Sequence, residues 1–296
     1  MSSKEEIVMV MRVLKTDTDG QLIIERVMYT KRYSLILDKE RCVGCGICET
    51  VCPREAIKTI KPVRIKDSGL RRPNIDIDEK KCNYCGVCNA ICPFGALSLV
   101  INGIKTVPVT EKESFPQLIH QVDIDEAKCP IDCDLCAEAC PFNLINVRVD
   151  EVSGKVKVDV DREYCPTCRL CEVKCPYDAI NVRKIINGFI KINKDKCPQG
   201  CRDCVDVCPV PNVLNISADG KVEVDEYCCI YCGVCKIVCP VDEALEIQRT
   251  SIHHTNIHSG AWNKALEKLT STKNMAKELH SKIALKARES VKRRFS

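Results

Sequence analysis

Cysteine dominates the chemistry available to this 296-residue chain, which contains 25 of them. All but one fall into six runs of four, each followed directly by a proline. The common spacing, C-x2-C-x2-C-x3-C-P, holds [4Fe–4S] clusters, since four thiolates bind the four irons of one cube. In chain order the runs contain Cys42, Cys45, Cys48 and Cys52; Cys82, Cys85, Cys88 and Cys92; Cys129, Cys133, Cys136 and Cys140; Cys165, Cys168, Cys171 and Cys175; Cys197, Cys201, Cys204 and Cys208; and Cys229, Cys232, Cys235 and Cys239. These 24 cysteines predict six [4Fe–4S] clusters.

Two runs depart from the common spacing, because three residues separate Cys129 from Cys133 and Cys197 from Cys201. All four thiols remain in both runs. We therefore interpret the extra residue as a loop expansion in which the cluster is retained.

The sixth run begins with two adjacent cysteines, so either Cys228 or Cys229 could be its first ligand. In the other runs an Asp or Asn lies four residues before the first cysteine, at Asp38, Asp78, Asp125, Asp161 and Asn193. Asp225 has that relation to Cys229, which predicts that Cys229 is the ligand and Cys228 a spare thiol.

Zinc and disulfide bonds are the alternative uses of so many cysteines. Zinc ribbons separate two C-x2-C pairs by a longer segment and do not repeat a four-cysteine block. Disulfide frameworks belong to oxidising compartments, whereas this chain opens with MSSKEE, which lacks the apolar core of a signal peptide. We expect a cytoplasmic iron–sulfur protein.

The elements that must position the cysteines are short strands on either side of each loop. The segments 74–78, 96–100, 156–160 and 221–225 alternate in the manner of β-strands. We predict an α+β fold of three tandem two-cluster modules, each built from two successive runs. The predicted organisation is an N-terminal β extension (1–33), module one (34–105), a linker (106–120), module two (121–185), module three (186–249) and a helical basic tail (250–296).

Three segments outside the cysteine loops leave alternatives open. A hairpin around Asp19-Gly20 is expected to cover one edge of module one. The basic segment 61–73 is a surface loop or a docking site for an acidic partner. His253, His254 and His258 are either structural or a metal site, although no carboxylate or cysteine lies near them in the sequence.

The tail lacks Gly and Pro beyond residue 260 and is expected to be helical. Its apolar residues recur every fourth position, at Met275, Leu279, Ile283, Ala287 and Val291. This stripe could pack on the modules themselves, clasp a partner subunit or lie on a membrane surface.

Composition limits the function further. The formal charge is +4, but six clusters of about −2 each would make the loaded protein acidic, which removes the argument for nucleic acid binding. Residues 261–296 alone have a net charge of +7. No apolar stretch is long enough to cross a bilayer. Because aromatics are only 4% of the chain and the modules are small, we expect folding to depend on cluster binding.

With six such runs, residues 34–249 resemble the archaeal polyferredoxins, which are tandem bacterial-type two-cluster ferredoxins. The stretch SGAWNKALEKLTSTKNMAKEL is similar to the tail of the polyferredoxin subunit of formylmethanofuran dehydrogenase. The resemblance implies an anaerobic, methanogen-type setting. It also implies redox enzyme subunits as partners, namely formylmethanofuran dehydrogenase, a hydrogenase or heterodisulfide reductase.

The resemblance also implies a cross-over of ligands, in which the fourth cysteine of each run binds the cluster of the paired run. The implied sets are Cys42, Cys45, Cys48 with Cys92; Cys82, Cys85, Cys88 with Cys52; Cys129, Cys133, Cys136 with Cys175; Cys165, Cys168, Cys171 with Cys140; Cys197, Cys201, Cys204 with Cys239; and Cys229, Cys232, Cys235 with Cys208.

The function expected from these features is electron transfer by a carrier that is not itself an enzyme. Every predicted cluster has four cysteine ligands, which leaves no iron open to a substrate, and no nucleotide or flavin motif is present. An enzymatic role would need a run lacking a cysteine. A redox-silent structural iron–sulfur protein is the other alternative.

Overall fold

The computed structural model describes residues 12–62, 70–151, 154–257 and 259–270. The strands of these ranges are β1 (Arg12–Asp17), β2 (Gln21–Val27), β3 (Arg32–Asp38), β4 (Ile57–Ile60), β5 (Asn74–Ile77), β6 (Leu97–Ile101), β7 (Ile104–Lys105), β8 (Gln121–Ile124), β9 (Ile145–Val149), β10 (Val156–Val160), β11 (Ile180–Arg183), β12 (Ile186–Ile192), β13 (Leu214–Ile216), β14 (Val222–Val224) and β15 (Leu245–Ile252). The helices of the same ranges are α1 (Ile47–Val51), α2 (Val87–Ala90), α3 (Pro108–Glu111), α4 (Leu135–Glu138), α5 (Leu170–Lys174), α6 (Asp203–Val207), α7 (Val234–Val238) and α8 (Gly260–Thr270).

One order of elements, strand–helix–strand–strand–helix–strand, occurs three times along the chain. In the first repeat the outer strands β3 and β6 pair antiparallel, and so do the inner strands β4 and β5. The second repeat pairs β8 with β11 and β9 with β10, and the third pairs β12 with β15 and β13 with β14. This pairing sets the two halves of a repeat against each other, with α1 beside α2, α4 beside α5 and α6 beside α7. The fold is mixed α and β.

The N-terminal strands extend the sheet of the first repeat. β1 and β2 form an antiparallel hairpin across residues 18–20, and β2 also pairs with β3, which gives a five-stranded sheet. Alternate residues of neighbouring strands, Leu22 and Ile24 in β2 and Leu35 and Leu37 in β3, point into a core and are almost fully buried. The hairpin therefore covers an edge of the first repeat with its own apolar packing.

The first and third repeats share a hydrophobic core. Val43 and Ile47, next to the first cysteine loop, belong to the same buried cluster as Ile230 and Val234 from the sixth. Residues far apart in sequence thus bring the first and last cysteine loops together.

Helix α8 packs on this shared core through Trp262, which is 2% exposed. The Trp262 ring meets Phe115 of the predicted linker edge-on, with centroids 5.1 Å apart. Its indole N–H donates a hydrogen bond to His254 Nε2 at 3.2 Å. His254 thus has a structural partner, whereas His258 lies outside the described residues. In residues 260–270 the tail packs on the protein's own repeats, and the predicted stripe from Met275 to Val291 lies beyond the described part.

The basic segment 61–73 is described only at its ends. Pro73 is buried against Gly44, and the Leu70 backbone N–H donates to Asp206 Oδ2 of the third repeat at 3.4 Å. Its C-terminal end thus helps to join the first repeat to the third. No helix within the described ranges is long and apolar enough to span a membrane.

Candidate iron–sulfur sites

Four of the six cysteine loops are entered through a turn made by the Asp or Asn four residues upstream, whereas a short 3-10 helix follows Asp125 and Asp161. Asp38 Oδ1 accepts a hydrogen bond from the backbone N–H of Glu40 at 2.9 Å. Asp78, Asn193 and Asp225 accept the equivalent bond from the residue two positions on. Short Asp and Asn side chains form such turns because they reach their own backbone. The upstream residue therefore sets the direction in which the chain enters the loop.

Four of the loops then take two residues in the left-handed backbone conformation. The pairs are Gly44 and Gly46, Tyr84 and Gly86, Thr167 and Arg169, and Tyr231 and Gly233. At Gly44 a side chain is also excluded by space, since a Cβ there would lie 2.2 Å from the Pro73 carbonyl oxygen. Turns of this kind aim backbone N–H groups at a common point, which suits a negatively charged group.

The two loops with an inserted residue follow a different path. The residues before their helices, Asp134 and Arg202, have φ of −124° and −121° in place of the left-handed conformation. The first three cysteines of each run nevertheless remain together, since Cys136 lies near Cys129 and Cys133, and Cys204 lies near Cys197 and Cys201. The longer gap therefore changes the loop backbone and leaves the thiol grouping in place.

Inside the repeats lie three cavities of similar size, each lined by three cysteines of one run and the fourth cysteine of the other run in the repeat. The lining thiols are Cys82, Cys85, Cys88 and Cys52; Cys165, Cys168, Cys171 and Cys140; and Cys197, Cys201, Cys204 and Cys239. In the remaining three groups the thiols lie close enough to interact electrostatically. There Cys92 faces Cys42, Cys45 and Cys48; Cys175 faces Cys129; and Cys208 faces Cys229, Cys232 and Cys235. In each of these groups the fourth cysteine of one run thus lies near at least one of the first three cysteines of the paired run.

The chemistry of these groups fits a [4Fe–4S] cluster. Backbone N–H groups approach the sulfurs, as between Ala56 and Cys52 Sγ at 3.3 Å and between Leu144 and Cys140 Sγ at 3.4 Å. Burial raises the pKa of the Cys42 and Cys168 thiols to about 12. Each thiol must lose its proton to bind iron, so the iron–sulfur bond has to offset the free energy of that deprotonation. Four such thiols supply one ligand per iron, and a bound cluster supplies one-electron exchange.

Cys228, the predicted spare thiol of the sixth loop, is 6% exposed and faces Cys168 of the second repeat. Cys229 has the same backbone contact as Cys82, the first cysteine of the second run. The N–H of Tyr231 lies 3.4 Å from Cys229 Sγ, and the N–H of Tyr84 lies 3.4 Å from Cys82 Sγ. This shared geometry supports the assignment of Cys229.

Replacement of Cys228 by alanine should leave the iron content unchanged, whereas Cys229→Ala should lose or convert one cluster. The reason is that the Cys229 sulfur lies beside Cys208, whereas no such interaction links Cys228 to Cys208. Iron and sulfide per chain, measured anaerobically on both variants, check this. The reverse result would mean that the sixth loop uses the longer first gap found at Cys129 and Cys197.

The first and third repeats also meet at their cysteines. Cys45 interacts electrostatically with Cys232, and Arg249, in the middle of β15, lies beside both. The Arg249 side chain donates hydrogen bonds to the carbonyl oxygens of Tyr231, at 2.9 Å, and Cys232, at 2.5 Å. Burial lowers the pKa of Arg249, while the nearby cysteines raise it. Sequence reasoning missed this residue, and the signal that could have found it is a cation in the strand that follows the last cysteine run.

The second repeat joins the others at Tyr164, directly before Cys165. The Arg41 guanidinium lies 3.5 Å from the centre of the Tyr164 ring, and a Cβ at Gly95 would lie 2.4 Å from the same ring. The loop of the fourth run therefore packs against the first repeat near Cys42 and also, through Cys168 and Cys228, against the third.

No three Cys, His, Asp or Glu side chains among the described residues lie close enough to hold a single metal ion. The fold and these groups define an iron–sulfur protein.

Known proteins agree with that class. Residues 41–96 and 128–179 match the 4Fe-4S dicluster domain family. A ferredoxin of Methanothermococcus thermolithotrophicus is 42% identical over 55 residues, which are 18% of this chain and 88% of that ferredoxin. The F420H2 dehydrogenase subunit I of Methanosarcina mazei is 60% identical over 25 residues, 8% of this chain, and the match spans only 14% of that relative.

A solved structure is similar over most of the chain. It is a chain of the formate dehydrogenase–heterodisulfide reductase–formylmethanofuran dehydrogenase complex from Methanospirillum hungatei, with a TM-score of 0.77 and 33% identity. The similarity covers 88% of this chain and 92% of that one. The chain belongs to the family of [4Fe–4S] dicluster ferredoxins. It is an iron–sulfur electron-transfer protein related to subunits of methanogen complexes.

Proposed function

We propose that this chain is an electron-carrying subunit that holds six [4Fe–4S] clusters through the cross-over ligand sets given above. The observation on which this rests is the grouping of three cysteines of one run with the fourth cysteine of its partner, which recurs in all three repeats. Each cluster is saturated by cysteine, so the subunit has no open iron for substrate and acts as a carrier and not as an enzyme.

The contacts between repeats support a branched path for the electrons. Cys45 of the first repeat lies near Cys232 of the third, and Cys168 of the second repeat lies near Cys228, which directly precedes Cys229. We infer that each repeat contributes one cluster to a central junction. The clusters of the first, fourth and sixth runs are therefore the inner ones. The clusters of the second, third and fifth runs form the three outer ends.

The outer cluster of the third run has the most exposed loop. Ile131 and Leu135, beside its cysteines, are 61% and 42% exposed, and Asp132 and Asp134 lie between them. An acidic rim around apolar side chains suits a partner with a basic rim and an apolar centre, because complementary charge speeds encounter. We propose this loop as an entry or exit point for electrons.

The related chain in the Methanospirillum hungatei complex suggests the kind of assembly. We propose that the subunit passes electrons between enzymes of the formylmethanofuran dehydrogenase and heterodisulfide reductase type in the cytoplasm of a methanogen. Co-purification of such subunits with the tagged protein from its native cells tests this part. Recovery of an unrelated oxidoreductase would replace the partner and leave the carrier role intact.

Reductive titration under anaerobic conditions tests the carrier role. The loaded chain should accept about six electrons, since each [4Fe–4S] cluster takes up one electron. Electron paramagnetic resonance should show broadened signals, because reduced clusters at the junction interact magnetically. Reoxidation should return all of the electrons. Uptake near zero at full iron content would favour a redox-silent structural protein.

A further inference from the structure

Arg249 is a cation placed between two cysteine loops that belong to different repeats. The thiols with which its charge interacts are Cys45 of the first loop and Cys232 and Cys235 of the sixth. Its side chain donates hydrogen bonds to the main-chain carbonyl oxygens of Tyr231 and Cys232 in the sixth loop. These bonds fix the guanidinium in position while its charge remains directed at the sulfurs.

The backbone around Arg249 is shaped to admit this side chain. The pairing of β12 with β15 shifts register between Asn187 and Gly188, opposite Arg249. Gly188 allows the close approach, because a Cβ there would lie 2.3 Å from the Gln248 carbonyl oxygen. A Cβ at Gly233 would lie 2.9 Å from Arg249 Nη2. Two glycines and a bulge thus place the guanidinium at the junction.

The charge balance at this position depends on the clusters. Removing a guanidinium from water is unfavourable unless negative charge lies nearby. A [4Fe–4S] cluster with four thiolates has a charge of about −2 and becomes more negative when it is reduced, since thiolates are deprotonated on binding. Arginine keeps its proton at any physiological pH, so it supplies a fixed positive charge. That positive charge therefore stabilises the reduced form of each cluster more than the oxidised form.

We propose that Arg249 is a positioning residue whose fixed charge, shared between the clusters of the first and sixth runs, raises the reduction potentials of both. Electrons then collect at the junction of the first and third repeats before they leave by an outer cluster. This inference rests on the proposed function, since it requires that both clusters are present and exchange electrons.

The test compares redox titrations of the loaded full chain in three variants. Arg249→Leu and Arg249→Gln remove the positive charge, whereas Arg249→Lys keeps the charge but lacks the planar guanidinium group. In both neutral variants we expect the reduction of two of the six clusters to have an equilibrium constant about tenfold smaller than in the wild type. This corresponds to reduction potentials that are lower by about 59 mV for a one-electron couple. The lysine variant should restore most of this shift. Arg148→Leu, which removes an exposed arginine paired with Asp159 at 2.8 Å, is the matched control and should change nothing.

Each outcome decides the proposal. Unchanged potentials in fully loaded neutral variants would overturn it. A lysine variant that behaves like the neutral variants would also overturn it, because shape and not charge would then matter. Neutral variants that lose the two junction clusters would also overturn it, because Arg249 would then hold the clusters in place and not set their reduction potentials. The wild-type titration separates the two hypotheses, since a failure to take up electrons there refutes the proposed function itself.

Discussion

Replacing Cys52 by serine should damage the cluster of the second run, not the cluster beside it in the sequence. Cys52 ends the first run, but its side chain lines the cavity formed with Cys82, Cys85 and Cys88. Its sulfur lies 3.3 Å from the Ala56 N–H, which fixes it in that direction. Of about 24 irons in the loaded chain, the variant should lose one to four, either by conversion to a three-iron cluster or by loss of the whole cluster.

Two further variants give this experiment its controls. Cys88→Ser should affect the same cluster as Cys52→Ser, because both thiols line one cavity. Cys48→Ser should affect the other cluster of the module, since Cys48 lies beside Cys92. Electron paramagnetic resonance distinguishes the two clusters by their signals. If Cys52→Ser matches Cys48→Ser instead, the fourth cysteine binds within its own run and the cross-over is wrong.

The local part of this structure was predictable from the sequence because it depends on short-range geometry. The six runs and their spacing predict where the thiols lie, and the upstream Asp or Asn marks the entry of each loop. The structure adds the reason for that residue, which is the turn at Asp38 and its equivalents. The strand segments and the Asp19-Gly20 hairpin likewise follow from alternation and turn chemistry.

The arrangement of the repeats was not predictable in the same way. It depends on contacts such as Cys45 with Cys232 and Tyr164 with Arg41. These residues are far apart in the sequence, and no sequence pattern indicates that they are in contact. The role of Trp262 was missed for the same reason, since the apolar stripe that drew attention to the tail begins only at Met275. A chain of tandem modules suggests a linear wire, whereas these contacts support a junction.

Removing the iron should unfold most of the chain but spare the N-terminal sheet. The second and third repeats contain two-stranded sheets, which are marginal in water without further packing. Their buried thiols surround the cluster cavities, so losing the clusters removes much of their core. The five-stranded sheet has its own apolar packing through Leu22, Ile24, Leu35 and Leu37. Folding of the other repeats should therefore be coupled to iron binding.

Hydrogen exchange before and after anaerobic chelation measures this difference by segment. Amides of β2 and β3 should keep part of their protection, while those of β9, β10, β13 and β14 should lose it. Iron and sulfide should restore protection, and zinc should not, because one zinc ion cannot span thiols arranged around a cube. Restoration should weaken as the pH falls, since the raised pKa values of Cys42 and Cys168 keep these thiols protonated and iron must displace their protons. Full protection of all strands without iron would mean that the repeats fold through their apolar contacts alone, and that the clusters bind to an already folded protein.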